Sequence, residues 1–396
     1  MRILSVHSRY QIRGGEDECR EAEEHLLREM GHSVEVYEEN NERVAAMGNV
    51  SMGLRTVWSK ESYEIVKARL RSQPHDVVHV HNFFPMISPS VYYAAKAEGV
   101  PVVQTLHNYR LLCPNGLFFR DGQVCEGCLG KPIPWSGVMN ACYRGSGTAS
   151  TSVATMLTVH RAMGTWNNMV DTYIALTQFA RQKFIEGGLP AEKIVVKPNF
   201  VHPDPGIGEG RGGYALFVGR LSPEKGLDTL LAAWEQLKEP IPLKIIGDGP
   251  LASWVAEAAT RLPHVEWLGR RPLDEVYSIL GEAMVLIFPS NWYETFGRVA
   301  VEAFAKGTPA IAANIGAIAE LIDPGRTGLL FSPGNPQDLA AKVEWALTHP
   351  KELAQMRQEA RSEFELKYTA QENYRRLMEI YALTSGKDQW TNYKSA

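Results

Sequence analysis

No apolar run in the 396-residue chain approaches the ~20 residues needed to cross a bilayer, so no transmembrane helix is expected. The first ten residues, MRILSVHSRY, carry one early arginine and an apolar stretch too short for a secretory signal. The chain therefore reads as cytoplasmic. Its net charge is only −4, from 41 Lys and Arg against 45 Asp and Glu, and nothing in that balance calls for a nucleic-acid partner. There is no low-complexity block and no short-period repeat. Cysteine is scarce at five residues, yet Cys113, Cys125, Cys128 and Cys142 crowd into one short stretch while Cys19 stands apart.

What is present is ordinary globular composition, 44% hydrophobic and 22% charged, in a chain long enough for two cores. Short apolar runs alternate with helical patterns, the rhythm of parallel α/β sheets. RILSVH, SVEVY, VVHVHNF, PVVQTLH and TYIALT are the expected strands of a first half, with Gly14-Gly15 opening a helix after the first of them. The Pro- and Gly-rich VHPDPGIGEGRGG reads as a linker. The rhythm then restarts with YALFVGRL, PLKIIGDG, VEWLG, MVLIFPS and TPAIAAN, before helices over residues 336–383 and a polar tail. The expected fold class is α/β with two Rossmann-like, doubly wound domains whose strand ends face each other across a cleft. Domain boundaries are placed at 1–200, with a Cys-rich insertion at 113–142, and at 201–370. Residues 371–396 form a C-terminal helix and tail returning to the first domain.

Ligands of doubly wound sheets bind beyond the carboxyl ends of the strands. After MVLIFPS comes NWYETFGRVAVEAFAKG, in which Glu294 and Glu302 are separated by seven residues. Thr295 is placed to cap a helix starting near Phe296 and Gly297, whose free amides suit an anion. Glu302 then falls among apolar helix residues, ~9 Å along the axis, where a ribose diol would supply the donors a buried carboxylate needs. Glu294 would lie on the phosphate side. Arg220 and Lys225, in the loop GRLSPEKG after another strand, suit a diphosphate. Each of these also has a plainer reading as solvated surface or loop charge, and the acids Glu16, Asp17 and Glu18 are accounted for by the helix dipole.

The set as a whole, namely GG after the first strand, HN after PVVQTL, GRLSPEKG, IGDGP and the two glutamates within PSNWYETFGRVAVEAFAKGTPAIAAN, resembles the retaining glycosyltransferase family 4, over about residues 1–370 and in the family's order. The resemblance implies a glycosyltransferase-B fold with C-terminal helices crossing back to the first domain. It implies that Arg220 and Lys225 hold the diphosphate of a nucleotide-sugar, that the Phe296 and Gly297 amides hold phosphate or sugar, and that Glu302 takes the ribose hydroxyls. Glu294 and His107 would face the donor sugar. Gly14 and Gly15 would let donor phosphates approach the backbone, and Asn199 matches a family Pro-Asn-Gly position, although Phe200 replaces the glycine. The implied reaction is retaining transfer from a UDP- or GDP-sugar to a hydroxyl of a glycan, lipid-linked or small-molecule acceptor, in bacterial-type cell-surface polysaccharide assembly. No Asp-x-Asp pair follows a strand, so catalysis is expected to need no metal. A nucleotide-sugar 2-epimerase and a silent sugar-nucleotide binding protein are the alternatives.

The four clustered cysteines have the composition of a structural zinc site, with two disulfides, an iron–sulfur cluster or plain buried thiols also open. Arg55, Lys60, Lys67, Arg69 and Arg71 with Trp58 and Tyr63, and the segment SVATMLTVHRAMGTW, either contact the inner face of a membrane or are helices with one core face and one solvated face. The second reading is preferred.

Overall fold

The computed structural model describes residues 1–11, 14–41, 44 and 47–386. The polar tail from residue 387 on lies outside the described residues. The chain divides into two compact units. Unit 1 holds Met1–Phe118, Cys125–Pro198 and the segment from Asn373 on; unit 2 holds Phe119–Val124 and Asn199–Glu372.

In unit 1 the strands β1 (Arg2–Arg9), β2 (Ser33–Asn40), β3 (Val77–Asn82) and β4 (Val102–Thr105) form a sheet with β7 (Thr172–Ala175) and β8 (Ile194–Val196). Between them in sequence come two short strands, β5 (Phe119–Arg120) and β6 (Gln123–Val124), which pair antiparallel. The order in the large sheet is β2-β1-β3-β4-β7-β8, and every pairing in it is parallel. Parallel strands are covered on both faces, which is why VVHVHN of β3 is buried at all six positions despite two histidines. Ile3, Leu27, Val77, Val103 and Ile174 build one core cluster. Leu377, Met378, Ile380 and Tyr381 join it from the helix Ala370–Ser385.

Unit 2 contains β9 (Ala215–Val218), β10 (Leu243–Ile246), β11 (Val265–Gly269), β12 (Val285–Phe288), β13 (Ala310–Ala313) and β14 (Gly328–Phe331). Their order is β11-β10-β9-β12-β13-β14, again parallel throughout. Phe217, Leu231, Trp234, Ile245, Ile287 and Phe331 sit in its core. Trp234 is buried and its indole N–H is satisfied by the Ile241 carbonyl at 3.0 Å. Both units are thus Rossmann-like, as the strand rhythm predicts. No described helix is long and apolar enough to cross a membrane.

Candidate functional site

In unit 2 the strand order reverses direction between β9 and β12, and the loops leaving those two strands, residues 219–226 and 289–297, flank the crevice where ligands of such sheets bind. The loops are locked together. The Asn291 amide donates to the Glu224 carbonyl at 3.1 Å. Gly226 has φ 68°, and a Cβ there would come within 1.9 Å of the Pro289 carbonyl oxygen, so only glycine permits this approach. The result is a junction of charges. Lys225 Nζ donates to Glu294 Oε1 at 2.5 Å, and Ser290 Oγ (3.1 Å) and Trp292 Nε1 (2.9 Å) donate to the same oxygen. Lys225 Nζ also lies 5.3 Å from the centre of the Trp292 ring, a cation–π distance. Glu294 is buried, whereas Arg220 is exposed on the same loop.

The helix that follows is Arg298–Ala305, two residues later than a Thr295 cap would start it. Gly297, not Thr295, is its N-cap, with φ 110° and ψ 52° and no side-chain cap. The positive φ is the reason: threonine is disfavoured in that region, and a Cβ at Gly297 would also stand 3.0 Å from Ile318 Cδ1. An uncapped N-terminus keeps amide donors available to an anion. The late start puts Glu302 four residues into the helix, ~6 Å along its axis rather than ~9 Å. Glu302 is buried and already pairs with Arg298 Nε at 2.9 Å, so its burial does not depend on a ligand's donors. Phe296 is buried and packs edge-on against Tyr368.

In unit 1 the order reverses between β1 and β3. Gly14 caps the helix Gly15–Glu29 after β1, and its amide donates to Asp17 Oδ2 at 3.0 Å. Its φ of −130° is ordinary, and a Cβ there would meet no described atom within 4 Å. The fold itself does not ask for glycine at this place. His107, after β4, lies 3.2 Å through Nε2 from His81 Nδ1, their rings stacked. His79 is held between the Tyr381 hydroxyl (2.7 Å) and Thr105 Oγ1 (2.8 Å). Burial, reinforced by His7 nearby, pushes His107 down to about 3, and burial pushes His79 down to about 4. These imidazoles are therefore neutral near pH 7, able to give or take one hydrogen bond at each nitrogen but not to carry charge.

Glu23, His79 and His81 each bring one ligand atom within 4.8 Å of the others. Lys197 Nζ, however, already donates to Glu23 at 2.7 Å and to Asn373 Oδ1 at 2.5 Å, so a cation's charge is supplied by the chain itself.

Comparison with known proteins places this arrangement. Residues 207–363 match the family model described as glycosyl transferases group 1, and residues 12–199 match the glycosyl transferase 4-like domain. The chain belongs to the group 1 glycosyltransferases. An uncharacterized glycosyltransferase of Methanocaldococcus jannaschii is 34% identical over 201 residues, 50% of this chain and 56% of the archaeal one, so the match spans little more than half of that relative. The 2-deoxystreptamine glucosyltransferase of Streptomyces kanamyceticus is 28% identical over 318 residues, 77% of each chain. The fold is that of Anabaena HepE, solved in complex with UDP-glucose, with a TM-score of 0.69 and 18% identity over 97% of this chain and 100% of that one.

Within this family member, the structure joins Lys225 to Glu294 and Arg298 to Glu302. It leaves Arg220 exposed, and buries Asn199 at the first residue of the second segment of unit 2. Three residues were not singled out from sequence as parts of the site. His81 orients His107, and the alternating His-x-His of β3 is the signal that marks it. Arg298 partners Glu302 from the preceding turn. Glu16, assigned to the helix dipole, instead accepts from Tyr10 Oη at 3.1 Å and Asn108 Nδ2 at 3.2 Å, and burial lifts its carboxyl to about 7. Asp17 likewise is buried against His7 at 2.8 Å rather than facing solvent.

On the basic face considered for a membrane, Lys60 and Arg71 are exposed and three of the five cations have carboxylate partners. Arg55 pairs with Glu61 at 2.5 Å, Arg69 with Glu35 at 3.3 Å and Arg71 with Glu98 at 2.9 Å, while Trp58 packs on Tyr63 and Tyr93. SVATMLTVHRAMGTW falls in and just beyond the helix Gly147–Ala162, which buries Val153, Met156, Leu157 and His160. Met163, just beyond the helix, is exposed.

Proposed function

We propose that this glycosyltransferase moves a sugar from a nucleoside-diphosphate sugar to an acceptor hydroxyl with retention at the anomeric carbon. The observation that carries the reading is the Lys225–Glu294 junction at the β9/β12 reversal, beside the uncapped helix at Gly297. A diphosphate arriving there meets the Lys225 ammonium, the Arg220 guanidinium and the helix amides, which neutralise charge as the leaving group departs. Glu294 would then accept from hydroxyls of the donor sugar and Glu302 from the ribose, each exchanging part of its present bonding for the ligand's. The bond from the anomeric carbon to the diphosphate oxygen breaks, the acceptor oxygen takes its place on the same face, and the acceptor proton passes to the diphosphate.

HepE being solved with UDP-glucose, and an antibiotic glucosyltransferase being among the relatives, favours a UDP-sugar donor. Cell-surface polysaccharide assembly is the setting proposed for the acceptor, with cytoplasmic donor. Charge neutralisation by Lys225, Arg220 and backbone amides makes the reaction independent of added metal.

A thermal-shift panel of UDP-, GDP-, ADP- and dTDP-sugars, each with and without chelator, tests this. A rise of several degrees for one nucleotide class, unchanged by chelator and reduced in Lys225→Ala, is expected. No rise with any donor sinks the proposal. Conversion of the donor to its 2-epimer without an acceptor would assign the same pocket to epimerisation instead.

A further inference from the structure

The stretch between β4 and the helix Gly147–Ala162 contains little regular structure: the two-residue strands β5 and β6 and one short helix, Trp135–Met139. Yet Leu112, Cys113, Phe118 and Cys128 are buried within it, so something other than helix or sheet must fix its path. Backbone contacts draw its four cysteines together in two pairs. Phe118 serves the first pair: its backbone bonds to the Cys113 sulfur, and its carbonyl receives the Cys125 amide at 2.7 Å. Gly137 serves the second in the same way, its backbone reaching the Cys128 sulfur and its carbonyl receiving the Cys142 amide at 2.9 Å. The two pairs are pressed against each other, because a Cβ on Gly137 would fall 2.6 Å from Pro114 Cγ, next to Cys113.

We propose that Cys113, Cys125, Cys128 and Cys142 are the four ligands of one structural zinc ion that fastens this stretch. Cys113 begins a Cys-Pro-Asn-Gly turn: burial pushes its free thiol up and the thiol donates to Asn115 Oδ1 at 3.0 Å, while the Asn115 and Gly116 amides bond to the sulfur as they would to a metal-bound thiolate. All four are free thiols rather than disulfides. Cys128 lies within electrostatic reach of the other three. Four thiolates on Zn²⁺ leave a net charge of −2, and Arg110 beside Cys113 and Arg161 beside Cys128 offset it. Among the described residues no three of the sulfurs lie within 4.8 Å of one another. Zinc–sulfur bonds of ~2.3 Å set sulfurs about 3.8 Å apart, so binding the ion requires the sulfurs to close in from their present separations.

The test uses the full chain purified under reducing conditions from zinc-supplemented culture. Elemental analysis is expected to give about one zinc per chain, and Co²⁺ exchanged into the site is expected to show thiolate-to-cobalt charge transfer. Cys142→Ser should keep the fold while lowering the intensity of that band by about a quarter. Cys125→Ser with Cys128→Ser should abolish zinc and lower the melting temperature. Absence of stoichiometric zinc in the unaltered protein, with all four thiols reacting freely with a thiol reagent before any chelator is added, overturns the proposal whether or not the variants fold. Iron with acid-labile sulfide in place of zinc overturns it equally.

Discussion

Glu294 takes three donors on one oxygen, and the one that brings charge is Lys225. Removing the lysine leaves a buried carboxylate short of its cation, at a cost of about 1–3 kcal/mol in stability. Lys225→Ala should also lower kcat ~100-fold or more if the ammonium meets the leaving diphosphate. Because the two side chains are bonded, Glu294→Gln added to Lys225→Ala should lose much less than the two single losses combined. Additive losses in a double-mutant cycle would separate their roles. Lys225 and Glu294 were both legible in the sequence, since each stands in a loop directly after an apolar strand. Their bond was not, because 69 residues separate them and only the order of β9 and β12 brings the loops together. The Arg298–Glu302 pair is four residues apart on one helix, a spacing open to the sequence whichever residue caps it; what hides it is that a ligand diol offers Glu302 an equally good partner.

At the scale of elements, the helix Gly15–Glu29 shows how a local rule succeeds and then falls short. Its glycine opening and acidic first turn mark a helix start, and the start is where the sequence places it. Asp17 turns out to be buried and Glu16 half-buried, because Tyr10 and Asn108 close over the Glu16 carboxyl and His7 over Asp17. Contacts that span 92 residues, as Asn108 to Glu16 does, leave no periodic trace. The consequence is a pH dependence. The Glu16 carboxyl sits near 7 in the folded chain against 4.5 in its ordinary setting, so the unfolded state ionises first as pH rises. Stability from this group is complete below about pH 4.5 and is lost between 4.5 and 7, by roughly 3 kcal/mol. His79 and His107 act oppositely. Their folded values lie below 6.5, so stability falls as pH drops below 6.5 and the unfolded histidines take up protons. Glu16→Gln isolates the first effect: urea titrations should find the variant more stable than the parent at pH 8 and its advantage gone at pH 4.5. An unchanged difference across that range would show that Glu16 titrates like a solvated acid.

On the scale of the whole molecule, two α/β units were readable because parallel strands buried on both faces write themselves as apolar runs. The participation of the last helix in unit 1 came from the family resemblance. The reason is now visible as Leu377, Met378, Ile380 and Tyr381 in the core cluster, with Asn373 on Lys197 and the Tyr381 hydroxyl on His79. Four such side chains are worth ~1.5–3 kcal/mol each, a sum comparable to the ~5–15 kcal/mol that holds a whole domain. Ending the chain after Glu372 should therefore abolish the cooperative unfolding of unit 1 while a calorimetric transition from unit 2 persists. Two transitions at their original temperatures would mean that the helix is dispensable.

The division of unit 1 into separated segments also sets an order in time. A ribosome releases all of residues 199–372 before it makes the helix that completes the core of unit 1. Although domains usually fold in the order of their synthesis, here the first-made unit must wait with its core incomplete while the second-made one can close. During that interval the apolar side of β1, β3 and β4 is uncovered, and the nascent chain is at its most exposed to chaperones and to aggregation.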